Sequence, residues 1–215
     1  MMEKLIQLTN SIEYKNNFYL SVLEVITKRL KPTTTIIKVE IGHQTDSSKK
    51  QLWDIHCIDI KYNVSNRIHE PKAPFRKLNI YQNHPVLWNY QDKLYIKLKG
   101  YCKSISHLIG DIAIMHNREA GDWVNYSLIF PALNYLNSTK EVKIEIPKHL
   151  MNSYLLIFQK HNIQFTFTDD NYTGDTELSV LIFGNQEVIS DFICFGQPYI
   201  VAKNFSEKLI YENHF

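Results

Sequence analysis

Two alternating segments joined by a short polar stretch constrain this chain more than any other feature. "TTTIIKVEIG" (33–42) and "QLWDIHCIDIKYNV" (51–64) are rich in β-branched and aromatic residues, and "HQTDSSKK" (43–50) lies between them. A period of two gives each strand one buried face, and a connection this short predicts antiparallel pairing. In the second segment the apolar set changes sides. Trp53, Ile55 and Cys57 share a face that turns charged at Asp59 and Lys61. The other face begins with Asp54 and His56 and then becomes apolar at Ile58, Ile60 and Tyr62. Such a switch predicts a β-bulge, or a passage between packing layers, near Cys57.

The rest of the chain alternates between helical and strand periods. Leu5, Leu8, Ile12, Tyr19, Val22, Leu23, Ile26 and Leu30 follow helical spacing up to Pro32, which predicts an N-terminal helix interrupted at Asn16-Asn17. "LNIY" (78–81) and "DKLYIKLKG" (92–100) read as strands. "SISHLIGDIAIMHNREAG" (104–121) reads as a helix with Ser104 or Ser106 at its N-cap and Gly121 just past its end. "VNYSLIFPALNYLN" (124–137) predicts a second central helix, kinked or started at Pro131. After it come a strand at "EVKIEIP" (141–147), a helix opened by Pro147, and strands at "IQFTFTDD", "ELSVLIFG" and "YIVAKNF". The expected class is therefore α+β: an N-terminal helix, an antiparallel hairpin sheet, two central helices and a C-terminal β-α-β-β-β portion. Length predicts one domain over 1–215, with a soft seam near residue 138.

Several function classes are argued against at this level. Lys and Arg number 24 against 22 Asp and Glu, a balance that is no electrostatic footprint for nucleic acid. No apolar run approaches the ~18 residues of a membrane span, and the N-terminus carries no secretory h-region. Cys57, Cys102 and Cys194 are odd in number and form no CxxC pair, which points to a reducing, cytoplasmic setting. The seven glycines are isolated, so no phosphate-cradling loop exists, and no cofactor or metal is expected.

A few constellations carry candidate chemistry. Asp54 and His56 point the same way on a strand, and an Asp can orient a His for base work. Asp59-Ile60-Lys61 matches the acid-x-Lys half of a metal nuclease site, for which Glu40 on the neighbouring strand would supply a second acid. The commoner reading of both is a solvated strand face with weak cross-strand ion pairs. His107, Asp111, His116 and Glu119 form a polar helix stripe whose two His are nine apart, unlike the one-turn spacing of a metal pair. Lys72, Phe75, Arg76 and Lys77 mix bases with an aromatic as single-strand binders do, though Glu70 interrupts them. In "HPVLWNYQDKLYIKLKG" (84–100), Trp88 and Tyr90 read first as core plugs with polar rims, and second, with Trp123, as binding hot spots.

Taken in order, "WDIHCIDIKYN", "NHPVLWNY", "IGDIAIMHNREAGDWVNY", "ALNYLN" and "VLIFG…YIVAKNF" resemble a group of small bacterial proteins of polymorphic-toxin and contact-dependent competition loci. Immunity proteins are common among them. The resemblance covers most of residues 50 to 205 and carries no functional residue over. It implies a non-enzymatic cytoplasmic protein whose partner is a protein, a cognate toxin. The alternatives are a metal-dependent nuclease or other hydrolase using Asp54, His56, Asp59 and Lys61, and a structural subunit of a bacterial or phage assembly.

Overall fold

A computed structural model describes residues 2–28, 32–63, 77–168, 172–184 and 198–213. The protein is α+β, and its packing divides into two compact units. The first comprises residues 1–83, 177–190 and 195–215, and the second residues 84–176 and 191–194. Residue 138 lies inside the second. The basic loop with Lys72, Phe75 and Arg76 and the segment 185–197 with Cys194 lie outside the described residues. No described helix is long and apolar enough to cross a membrane.

The first unit opens with two short helices, α1 (Glu3–Asn10) and α2 (Ile12–Asn17). Strands β1 (Phe18–Lys28), β2 (Thr34–His43), β3 (Lys50–Asn63), β4 (Lys77–Tyr81), β8 (Ser179–Gly184) and β9 (Tyr199–Asn213) build one sheet. Its order is β1-β2-β3-β9-β8-β4, antiparallel throughout. The pairing of β2 with β3 is as their alternation demands, with Ile37 opposite Ile55 and Val39 opposite Trp53. Ile37, Val39, Ile41, Ile55 and Cys57 are fully buried on the inner face, with Leu5 of α1 and Leu20 in the same core. Met2 at the α1 N-cap has no side chain that can cap. Glu207 of β9 does so instead, its two carboxylate oxygens accepting from Lys4 N (2.8 Å) and Leu5 N (2.9 Å).

The expected long N-terminal helix is corrected here: helix ends at Asn17 and the chain continues as β1. A bulge explains why the pattern misleads. Register with β2 slips between Val22 and Glu24, so Leu23 is an extra residue. Phe18, Leu20 and Val22 alternate onto the core, and after the bulge Val25 resumes it opposite Ile37. The step of three between Val22 and Val25 imitates a helical period inside a strand. The side switch in β3 is also a bulge, but later than Cys57. Asp59 adopts φ 55°, and register with β9 slips between Ile60 and Tyr62.

The second unit holds β5 (Lys93–Lys99) between β6 (Val142–Pro147) and β7 (Gln164–Phe167), both antiparallel to it. Helices α3 (Ile105–Glu119), α4 (Phe130–Asn134) and α5 (Met151–Lys160) supply the rest of its core. Ser104 Oγ caps α3 by accepting from His107 N, and Gly121 past its C-cap takes φ 55°, the left-handed stop that glycine allows. The second central helix is short: a 3-10 turn, Ser127–Ile129, runs into α4 with Pro131 in its first turn. Tyr154 and Phe158 of α5, with Leu150 at its N-cap, form the buried stripe.

Candidate functional site

The Asp54/His56 strand lies on the outer face of the first unit's sheet. Cross-strand register makes rows of neighbours there. Asp54 stands between Lys38 of β2 and Lys208 of β9, and Lys38 faces Glu24 of β1. The result is a row Glu24–Lys38–Asp54–Lys208 whose charges alternate across four strands. Lys38 Nζ donates to Glu24 at 2.7 Å, which raises the lysine's pKa with a smaller contribution from Asp54. The next row is Ile26–Ile36–His56–Ser206, and the one on the other side is Ser21–Glu40–Leu52–Tyr211. The register thus gives Asp54 two lysine neighbours, and gives His56 an isoleucine and a serine.

Asp59 and Lys61 are brought together, but Glu40 does not join them. Asp59 sits 3.6 Å from Lys61 Nζ and 3.7 Å from Lys203 Nζ. Glu40 pairs with Leu52, seven residues away along β3, roughly 23 Å at strand rise. Among the described residues no group of three His, Cys, Asp or Glu side chains could hold a metal ion.

The aromatic trio belongs to the second unit. A 3-10 helix, Pro85–Asn89, begins at His84, whose Nδ1 accepts from Val86 N (3.3 Å). It buries Val86 and Leu87 completely and sets Trp88 against the core of β5, α3 and α5. Trp88 is half-buried and stacks flat on His149, with ring centroids 5.1 Å apart. Trp123 is 3% exposed, so its ring is part of the interior and not of a surface. Tyr90 is half-buried, and its carbonyl accepts from Asp175 N. Behind the same region His116 and Tyr154 hydrogen-bond at 2.5 Å, both enclosed. Burial lowers the His116 pKa to about 4 and raises that of Tyr154, so the pair is neutral near pH 7. Tyr154 borders a cleft of about 170 Å³ shared with Tyr126, Asn125, Lys93 and Glu145.

A constellation that no local spacing announces lies at the other end of α3. Cys102 follows β5, Asp111 is on α3, and His161 is the C-cap of α5. Cys102 Sγ is 4.0 Å from His161 Nδ1, and His161 Nε2 is 2.7 Å from Asp111 Oδ2. Lys160 Nζ reaches the same carboxylate oxygen at 2.7 Å. Hydrogen bonds from Lys160, and after it His161, hold the Asp111 carboxyl below its usual range. The two imidazole nitrogens face different partners, so the set cannot close on one metal ion. Its polarity is that of a thiol, a base and an orienting acid. The thiol is fully buried, while His161 is 13% exposed at its side chain. The helix stripe His107/Asp111 was visible in the sequence, but neither Cys102 nor His161 has a neighbouring residue that signals this contact.

Comparison with protein-family models finds no match, and neither the curated proteins nor the solved structures give one.

Proposed function

We propose that the chain is a non-enzymatic protein-binding protein of the immunity type, acting in the cytoplasm by binding and neutralising a cognate bacterial toxin. The observation that carries this reading is the row Glu24–Lys38–Asp54–Lys208 on the outer sheet face. Single exposed ion pairs add little stability. Four alternating charges at fixed strand spacing can nevertheless select a partner surface with the opposite order and reject others by like-charge contact. Tyr211, 43% exposed in the adjoining row, supplies an aromatic of the kind enriched in binding hot spots. Free thiols at Cys57 and Cys102 agree with a reducing compartment. A hydrolase on Asp54, His56, Asp59 and Lys61 is not proposed, because Glu40 stands at the far end of the strand pair from Asp59.

The test is capture of a partner from the native source with the wild-type chain and with a Lys38→Glu/Lys208→Glu variant. The expected result is a stoichiometric partner that arrests bacterial growth alone and not when co-expressed with this chain. The variant should bind it about tenfold or more weakly while melting as wild type does. A partner without toxicity, or one that binds both forms equally, overturns the reading.

A further inference from the structure

We propose that Cys102 is a gated nucleophile for small uncharged electrophiles, with His161 as its base and Asp111 as the residue that positions the imidazole. Cys102, Asp111 and His161 all belong to the second unit, and their chemistry is independent of the toxin reading.

Three features separate Cys102 from an ordinary buried cysteine. First, its sulfur faces an imidazole nitrogen while the opposite nitrogen is engaged by a carboxylate, so a proton leaving sulfur has an acceptor whose cation is stabilised. Cys57, the other described cysteine, is also fully buried, but burial raises its thiol pKa to about 12 with nothing opposing the shift. Second, the residues on either side of Cys102 are at the surface: Tyr101 is 73% exposed and Lys103 is exposed. Gly100 before them takes φ 120°, a turn only glycine makes easily. Third, the backbone of Cys102 is clasped by one side chain. Asn137 Oδ1 accepts from Cys102 N and Asn137 Nδ2 donates to Cys102 O, both at 2.8 Å. Asn137 is exposed and belongs to a turn, so opening of that turn would leave both bonds to be replaced by water.

The charged groups about His161 are Asp111 from α3 and the adjacent Lys160, whose Nζ meets the same Asp111 Oδ2 as His161 Nε2 does. His107 lies one turn before Asp111 on α3, and the ionisable Tyr101 and Lys103 flank Cys102. With an alkyl halide such as iodoacetamide, sulfur attacks carbon, iodide leaves, and the thiol proton passes to His161 Nδ1. With hydrogen peroxide, the S–O bond forms as the O–O bond breaks. Sulfur is oxidised by two electrons to sulfenic acid, and the departing hydroxide takes a proton to become water.

The experiment measures iodoacetamide labelling of the folded full chain, residue by residue, by mass spectrometry from pH 5.5 to 9. Cys102 should react at least about tenfold faster than Cys57 at pH 7. Asn137→Ala should accelerate it, and His161→Gln in that background should slow it about tenfold and move the rise of rate to higher pH. Asp111→Asn should move that rise in the same direction, a readout that loss of packing alone would not give. If Asn137→Ala fails to fold, the wild type and His161→Gln compared directly carry the same test. Equal rates with and without His161, or a Cys102 no faster than Cys57, overturn the proposal.

Discussion

Asp54 and His56 lie two residues apart, while Cys102 and His161 lie 59 apart, yet the second pair is in contact and the first is divided among other partners. On β3, strand geometry puts both side chains on one face and then hands each to its cross-strand neighbours. In the second unit, a strand end, a helix and a helix C-cap converge because β5, α3 and α5 share one core. Local spacing sets direction, and packing sets company. The two regions also differ in energy. The charge row is exposed at Glu24 and Lys208 and half-buried at Lys38 and Asp54, so it is cheap to alter. In the second unit His116 and Tyr154 are enclosed, where an unmet partner is costly.

The contrast breaks most sharply at Trp88. Replacement by Ala should cost about 3 kcal/mol, the low end for a large aromatic because the ring is only half-buried, and denaturant unfolding would measure it. A loss below about 1 kcal/mol would show that the ring adds little to the core of the second unit. Tyr154→Phe should cost about 1–3 kcal/mol by leaving His116 Nε2 without its partner, read in the same way. Glu207→Ala should cost about 1 kcal/mol, since α1 then loses the carboxylate that accepts from Lys4 N and Leu5 N in its first turn.

His116 sharpens the comparison through pH. Its folded pKa, near 4, lies below the ordinary 6.5, because burial disfavours the imidazolium. The unfolded state therefore takes up a proton first as pH falls. The contribution of neutral His116 is complete above pH 6.5 and is lost progressively toward pH 4, on the order of 1–3 kcal/mol. The difference in stability between wild type and His116→Gln, followed across that window by urea unfolding, should shrink as the pH falls. The smallest effect belongs to the row: Lys38→Glu should shift the melting temperature by no more than about 1–2 °C in calorimetry.

Parts of this architecture were legible in the sequence. The β2–β3 hairpin was, because Ile37, Val39, Trp53 and Ile55 repeat with a period only a half-buried strand has. The helix after Ser104 and its stop at Gly121 were, because caps are local chemistry. Strand β1 was not, because one bulged residue, Leu23, converted an alternating pattern into a helical one. Among candidate residues, the sequence placed Asp54 with His56 and Asp59 with Lys61 on their strand, but not the lysines that flank Asp54 in the row.

By itself the sequence determined the α+β class, the antiparallel β2–β3 pair and the capped ends of α3. These follow from periods of 2 and 3.6 and from the hydrogen-bonding needs of helix ends, which act over a few residues. Only the tertiary structure decided that Glu207 caps α1, that four charges line up across β1, β2, β3 and β9, and that Cys102, Asp111 and His161 meet. Those contacts depend on register and on which apolar faces share a core. Both are settled by the summed burial of many residues far apart in the chain, so no short stretch encodes them.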